Sequence, residues 1–238
     1  MNNLKDKLVV ALDYEALSPA MALVDELDKQ VNCYKIGPTM FVRYGTEIIE
    51  FLHSRSKKIF LDLKLYDTPQ VVGDTIRQLG DLGIAMATVH CLGGHEMLEA
   101  AAKGCRGTEL ALFGVTLLTS QTGSDFGSLA ISTDEVMVGK LLDTAIEHRL
   151  AGVLCSAREN RLVRERNVPD FQIVNAGIRL QGKPLYGDDQ KRFSSPFEAV
   201  QNGADYLIVG RPLTQASQPK VALHSLIEGM DHEPSAQA

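Results

Sequence analysis

Eight short runs rich in Val, Ile, Leu and aromatic residues punctuate the chain, at residues 7–13, 31–37, 58–65, 86–92, 109–118, 151–156, 171–177 and 204–210. Several are continuously apolar, the pattern of parallel strands buried on both faces. The stretches between them carry apolar positions at helical spacing, as from Val138 to Leu150, where the stripe reads as core packing. Two helix starts are marked in the same way. Ser18 stands as an N-cap with Pro19 at N1 ahead of a helix over Ala20 to Gln30, and Ser195-Pro196 repeats the signal before Phe197 to Asn202. Eight strands alternating with helices over about 200 residues predict a single α/β domain, a (β/α)8 TIM barrel. An open doubly wound sheet has fewer strands and a G-x-G-x-x-G turn after the first, which is absent here. Residues 1–230 read as one catalytic domain and residues 231–238 as a short polar tail.

Composition narrows the function classes. A chain of 238 residues buries roughly 70–75% of its extended surface and needs neither disulfides nor a structural metal. Cys33, Cys91, Cys105 and Cys155 are spread without a C-x-x-C pair and read as reduced thiols of a cytoplasmic protein. With 24 Lys+Arg against 30 Asp+Glu the net charge is −6, which argues against nucleic acid as a partner. The run Leu8 to Leu12 is too brief for a signal peptide or a membrane span. His90 and His95, around Gly93-Gly94, lack a third ligand in the sequence, so no metal site is expected.

Barrel chemistry sits where strands end and βα loops begin. Four charged residues fall there: Asp13 after the first strand, Lys35 at the end of the second, and Asp62 and Lys64 in the third. Two apart on a strand, Asp62 and Lys64 project from one face while Leu61, Leu63 and Leu65 take the other. Buried ions cost several kcal/mol each unless paired, and two cations with two anions make a neutral array. A purely structural ion network is the bland reading, and four such groups on three strand ends weigh against it. The loops after strands seven and eight, a common phosphate site in barrels, contain Gly177-Ile178-Arg179 and Gly210-Arg211. Residues 178–195 form a polar stretch long enough for a mobile lid, and Thr119 to Ser132 form a second long polar loop.

The motif Asp62-x-Lys64-x-x-Asp67, with Asp13 and Lys35 before it, resembles the orotidine 5′-monophosphate decarboxylase family. The segments Val115-Thr116-Leu117-Leu118-Thr119-Ser120, Cys155-Ser156-Ala157, Gly177-Ile178-Arg179, Gly187-Asp188-Asp189-Gln190-Lys191-Arg192 and Val209-Gly210-Arg211-Pro212 agree in order. This resemblance implies conversion of orotidine 5′-monophosphate to UMP without metal, flavin or pyridoxal cofactor. It further implies a homodimer with active sites at the subunit interface, Asp67 reaching into the partner's site. Gln190 would link the phosphate to the pyrimidine edge, Thr119 would contact the ring, and Asp13 and Lys35 would reach the ribose hydroxyls. Thr68, Arg179, Gly210 and Arg211 complete the substrate-binding set. Loss of CO₂ leaves a poorly delocalised carbanion at C6, and Lys64 can both neutralise it and protonate it. Asp62 and Asp67 would hold that ammonium.

Two departures from the family pattern stand out. Many members follow the last Asp with Ile-Pro-Asn-Thr, whereas this chain has Thr68-Pro69-Gln70-Val71, which removes a hydroxyl worth roughly 0.5–1.5 kcal/mol if it binds ribose. The common Thr-Pro-Gly-Ile-Arg is here Asn175-Ala176-Gly177-Ile178-Arg179. The nearest rival is a magnesium-dependent sugar-phosphate decarboxylase or aldolase of the same superfamily. Such enzymes carry an acidic metal ligand where this chain has Lys35, and a cation there repels Mg²⁺. An inactive barrel that binds UMP as a sensor is the third reading.

Overall fold

The computed structural model describes residues 4–122, 125, 134–180 and 192–232. Each apolar run contains one strand: β1 (Leu8–Ala11), β2 (Cys33–Ile36), β3 (Lys58–Leu65), β4 (Met86–His90), β5 (Ala111–Val115), β6 (Gly152–Ser156), β7 (Gln172–Ala176) and β8 (Tyr206–Val209). Neighbouring strands pair in parallel in chain order, and β8 returns to β1 with Ile208 opposite Val9, closing a (β/α)8 barrel. Around it lie α1 (Leu17–Leu27), α2 (Pro38–Ser54), α3 (Pro69–Asp81), α4 (Gly94–Gly104), α5 (Asp134–Glu147), α6 (Asn160–Arg164), α7 (Pro196–Gln201), α8 (Arg211–Thr214) and α9 (Pro219–Asp231).

Two apolar layers explain why the strands read as continuous runs. Outward positions such as Val10, Tyr34, Ile59 and Leu207 pack against the helices. Inward positions, Val9, Ala11, Cys33, Phe60, Met86, Phe113, Leu154, Val174 and Ile208 among them, form a separate cluster built from strand residues that fills the barrel. With both faces buried, no polar alternation survives.

The Ser195 signal is realised in full: Ser195 Oγ accepts from Glu198 N at 3.1 Å and Glu198 Oε2 accepts from Ser195 N at 2.9 Å, a reciprocal capping box. The Ser18 signal is not. The helix starts at Leu17 behind Ala16, with no side-chain cap, and Ser18 lies inside its first turn. Leu17 packs against the core, and that contact draws the helix start upstream of the hydroxyl. The helix also stops at Leu27, because Asp28 turns to a φ of 35°. At the other end of the chain α9 includes Asp231, and residues 233–238 lie outside the described residues.

None of the four cysteines is in a disulfide. Burial pushes the thiols of Cys33 and Cys91 up to about 12 and that of Cys105 to about 11, so they are poor nucleophiles. Among the described residues no helix is long and apolar enough to cross a membrane.

Candidate active site

The inward columns of five strands end on a polar or small residue. Two positions beyond Ala11 is Asp13; beyond Cys33, Lys35; beyond Phe60, Asp62; beyond Met86, Thr88; beyond Ile208, Gly210. The period of two that buries the apolar side chains therefore delivers these groups to one mouth of the barrel. Asp13, Lys35, Asp62 and Gly210 meet at a cavity of about 630 Å³ that Lys64, Thr119, Arg179 and Arg211 also line, together with other rim residues.

The four charged groups form a chain of alternating sign. Lys35 Nζ lies 3.0 Å from Asp13 Oδ1 and 3.7 Å from Asp62 Oδ2, and Lys64 Nζ lies 2.8 Å from Asp62 Oδ1. Asp62 is 4% exposed. Its burial works against the charge, but Lys35, Lys64 and the hydrogen bonds from Lys64 and Thr88 outweigh it, and the carboxyl stays below the usual range. Asp13 opens to solvent while Lys35 is buried. A side chain at position 37 would press on this pair: a Cβ there would lie 3.0 Å from Asp13 Oδ1 and 3.2 Å from Lys35 Nζ, so Gly37 leaves the room it needs.

Asp62 and Lys64 do meet, though not through regular strand alternation. Between Leu61 and Leu65, four steps along β3 pass only two along β4. Within this bulge Lys64 takes a φ of 51°, a left-handed conformation costing about 1–2 kcal/mol in a non-glycine residue. Its N–H donates to Thr88 Oγ1 at 2.9 Å, and the same hydroxyl donates to Asp62 Oδ1 at 3.0 Å. Thr88, fully buried, thus fixes both the backbone of the lysine and the carboxylate it pairs with. Its role leaves little trace in the sequence. The available signal was a lone hydroxyl in the apolar stretch Met86 to Val89.

Arg179 and Arg211 stand at the ends of β7 and β8, as expected. Gly177, with φ 76°, sits where a Cβ would come within 2.6 Å of the Arg192 carbonyl oxygen. That close approach stitches the two ends of the 178–195 stretch together: Arg179 N donates to Ser194 O at 2.9 Å and Ser194 N to Gly177 O at 3.2 Å. Arg192 closes the seam. Its guanidinium pairs with Glu159 and donates to the carbonyls of Leu117 and Leu118 at 2.7 and 2.9 Å, while its backbone N–H donates to Thr119 O at 3.1 Å. Both partners are buried. Burial raises the Glu159 carboxyl, and Arg192 pulls the other way. This pair, 33 residues apart, had no sequence signal beyond its charges.

The remaining expectations fare differently. Asp67 is exposed; its Oδ1 accepts from Thr68 N at 2.6 Å, and neither residue lines the cavity of the single chain. Gln190, the interior of the expected lid at residues 181–191, and most of the Thr119–Ser132 loop lie outside the described residues. Asn175 is buried beneath the rim, paired with Asn160 at 2.7 Å. His90 Nδ1 accepts from Leu92 N and makes no pair with His95.

Comparison with known proteins places nearly the whole chain in one family. Residues 6–226 match the family described as Orotidine 5′-phosphate decarboxylase / HUMPS family. The orotidine 5′-phosphate decarboxylase of Vibrio cholerae serotype O1 is 37% identical over 224 residues, covering 92% of this chain and 96% of the relative. That of Desulfosudis oleivorans is 38% identical over 234 residues, covering 95% and 94%. Among solved structures, orotidine 5′-phosphate decarboxylase from Lactobacillus acidophilus superposes with a TM-score of 0.81 at 30% identity, over 95% of this chain and 100% of the other. An uncharacterized conserved protein from Geobacillus kaustophilus gives 0.80 at 28% identity, over 94% and 99%. A closed barrel with an Asp-Lys-Asp-Lys chain at its mouth, matched in sequence along nearly its whole length, belongs to the orotidine 5′-phosphate decarboxylase / HUMPS family.

Proposed function

We propose that the chain decarboxylates orotidine 5′-monophosphate to UMP in pyrimidine biosynthesis, with Lys64 as the group that stabilises and protonates C6. The observation that carries the reading is the position of Lys64, which lines the cavity with its Nζ 2.8 Å from the buried carboxylate of Asp62. In the reaction the bond from C6 to the carboxylate breaks, the electron pair stays on C6, and CO₂ departs. The ammonium of Lys64 opposes the growing charge, gives its proton to C6, and regains one from water. Asp62 holds the ammonium. Lys35 and Asp13 continue the array toward the ribose, and Thr119 faces the ring.

Binding energy comes from the non-reacting phosphate, which Arg179, Gly210 and Arg211 receive at the ends of β7 and β8, with Gln190 bridging from the phosphate to the pyrimidine. Asp67 acts in the site of a second copy of the chain. Its exposure supports this, as do Tyr66 and Val71, 66% and 49% exposed on either side of it, because large apolar side chains at a surface rim favour burial against a partner. Thr68 contacts the substrate from the same loop. The reaction draws on no metal or organic cofactor, and the Mg²⁺ reading is disfavoured by Lys35, whose ammonium already occupies the space between the carboxylates of Asp13 and Asp62.

The test is loss of the orotate chromophore, followed in the ultraviolet in EDTA. Turnover is expected in the native chain and none in Lys64→Ala, which retains UMP binding because its phosphate contacts are intact. Turnover of a sugar phosphate only on addition of Mg²⁺ would overturn the reading in favour of the rival enzyme, and UMP binding without turnover in favour of a sensor.

A further inference from the structure

Among the described residues, one cluster of metal-ligating side chains stands apart from the cavity. His95 lies in the first turn of α4, Glu147 is the last residue of α5, and His148 follows it. His95 Nδ1 is 3.1 Å from His148 Nε2 and 3.5 Å from Glu147 Oε2, and all three ligand atoms lie within 4.8 Å of one another. Zinc bonds of 2.0–2.1 Å at a tetrahedral angle place ligand atoms about 3.3–3.4 Å apart. Two edges of such a tetrahedron are therefore present within a few tenths of an ångström. The third closes by rotation of Glu147, whose side chain is 62% exposed.

The backbone that carries these ligands is set by packing. At Gly114 a Cβ would lie 2.6 Å from Cys91 Sγ, 3.1 Å from Leu150 and 3.2 Å from Ala145, so the segments before His95 and around His148 close tightly over β5. We propose that His95, Glu147 and His148 form a surface site for one Zn²⁺, with water as the fourth ligand, tying the start of α4 to the end of α5. Two imidazoles and one carboxylate suit a first-row transition ion and suit Mg²⁺ or Ca²⁺ poorly. The site is independent of the proposed decarboxylation.

The full chain, stripped with chelator and dialysed, is titrated with Zn²⁺ against a chromophoric indicator. Its thermal midpoint is followed in parallel, and the ion is then replaced by Co²⁺ to read its coordination. The native chain is expected to take up one equivalent and to show the intense visible bands of tetrahedral Co²⁺. At zinc a hundredfold above Kd its midpoint rises by about 5–10 °C. His95→Ala and His148→Ala lower the affinity at least tenfold and abolish the rise, and Glu147→Gln weakens it. His224→Ala changes nothing, since His224 and Glu228, 3.1 Å apart, offer only two ligands. Orotidine 5′-monophosphate turnover is unchanged in all four variants. Zinc uptake undiminished in both His95→Ala and His148→Ala, or no uptake by the native chain, overturns the site.

Discussion

Replacing Thr88 by Val keeps the volume of a buried side chain and deletes one hydroxyl, and with it the two bonds that organise the lysine. The hydroxyl accepts from Lys64 N at 2.9 Å and donates to Asp62 Oδ1 at 3.0 Å. A bond to a charged carboxylate contributes about 1.5–3 kcal/mol, and an N–H left without an acceptor costs about 1–3 kcal/mol. The sum, about 2.5–6 kcal/mol, falls on a residue already held at a φ of 51°. At about 2–4 °C per kcal/mol for a chain of this size, the melting midpoint should drop by about 5–24 °C. In turnover, a less fixed Lys64 Nζ should lower kcat about ten- to a hundredfold, equivalent to about 1.4–2.8 kcal/mol. KM should stay within about threefold, because the residues proposed to bind phosphate follow β7 and β8, away from β4. Thr88→Ser keeps the hydroxyl and should recover most of both losses.

The acid limb gives an independent reading of the same substitution. The Asp62 carboxyl is lowered in the folded chain despite burial, because Lys35, Lys64 and the two hydrogen bonds prevail. Its contribution to stability is therefore present above the ordinary carboxylate value, near 3.9, and is lost as pH falls through the lowered folded value. Removing the Thr88 donor raises the folded value, so acid unfolding of Thr88→Val should begin at higher pH than that of the native chain. Thermal melts between about pH 3 and 7 and ultraviolet turnover check both parts. A Thr88→Val chain with native kcat, melting midpoint and acid stability would refute the positioning role.

Other outcomes follow from the same geometry. Arg179→Ala and Arg211→Ala should each raise KM about ten- to a hundredfold, the loss of one charge-assisted bond to phosphate of about 1.5–3 kcal/mol, read by the same turnover assay. Glu159→Leu should destabilise by about 3–5 kcal/mol, since it strands the buried Arg192 guanidinium, whereas replacing both partners by apolar residues should cost less; thermal melts of the two variants separate these.

The strand order, the closure into a barrel and four of the charged residues at its mouth are written in the local pattern. Strands sandwiched between an inner and an outer apolar layer must be apolar on both faces, and a charge at the end of such a run is conspicuous for the same reason. The Ser195 cap is legible because its partner, Glu198, is one turn away. The Ser18 cap misleads because a core contact of Leu17 outweighs a local hydroxyl.

What the fold alone decides involves partners that sequence spacing cannot join. The bulge of β3 and the left-handed Lys64 arise from register against β4, and Thr88 gains its role only when that strand lies alongside. Glu159 finds Arg192, and His95 finds Glu147 and His148 more than fifty residues later. Hydrophobic periodicity is a property of each element by itself, so it can be read one segment at a time. An ion pair, a shared hydroxyl or a ligand set depends on distances of a few ångströms between elements, and those exist only once closure of the barrel has fixed every strand and helix against its neighbours.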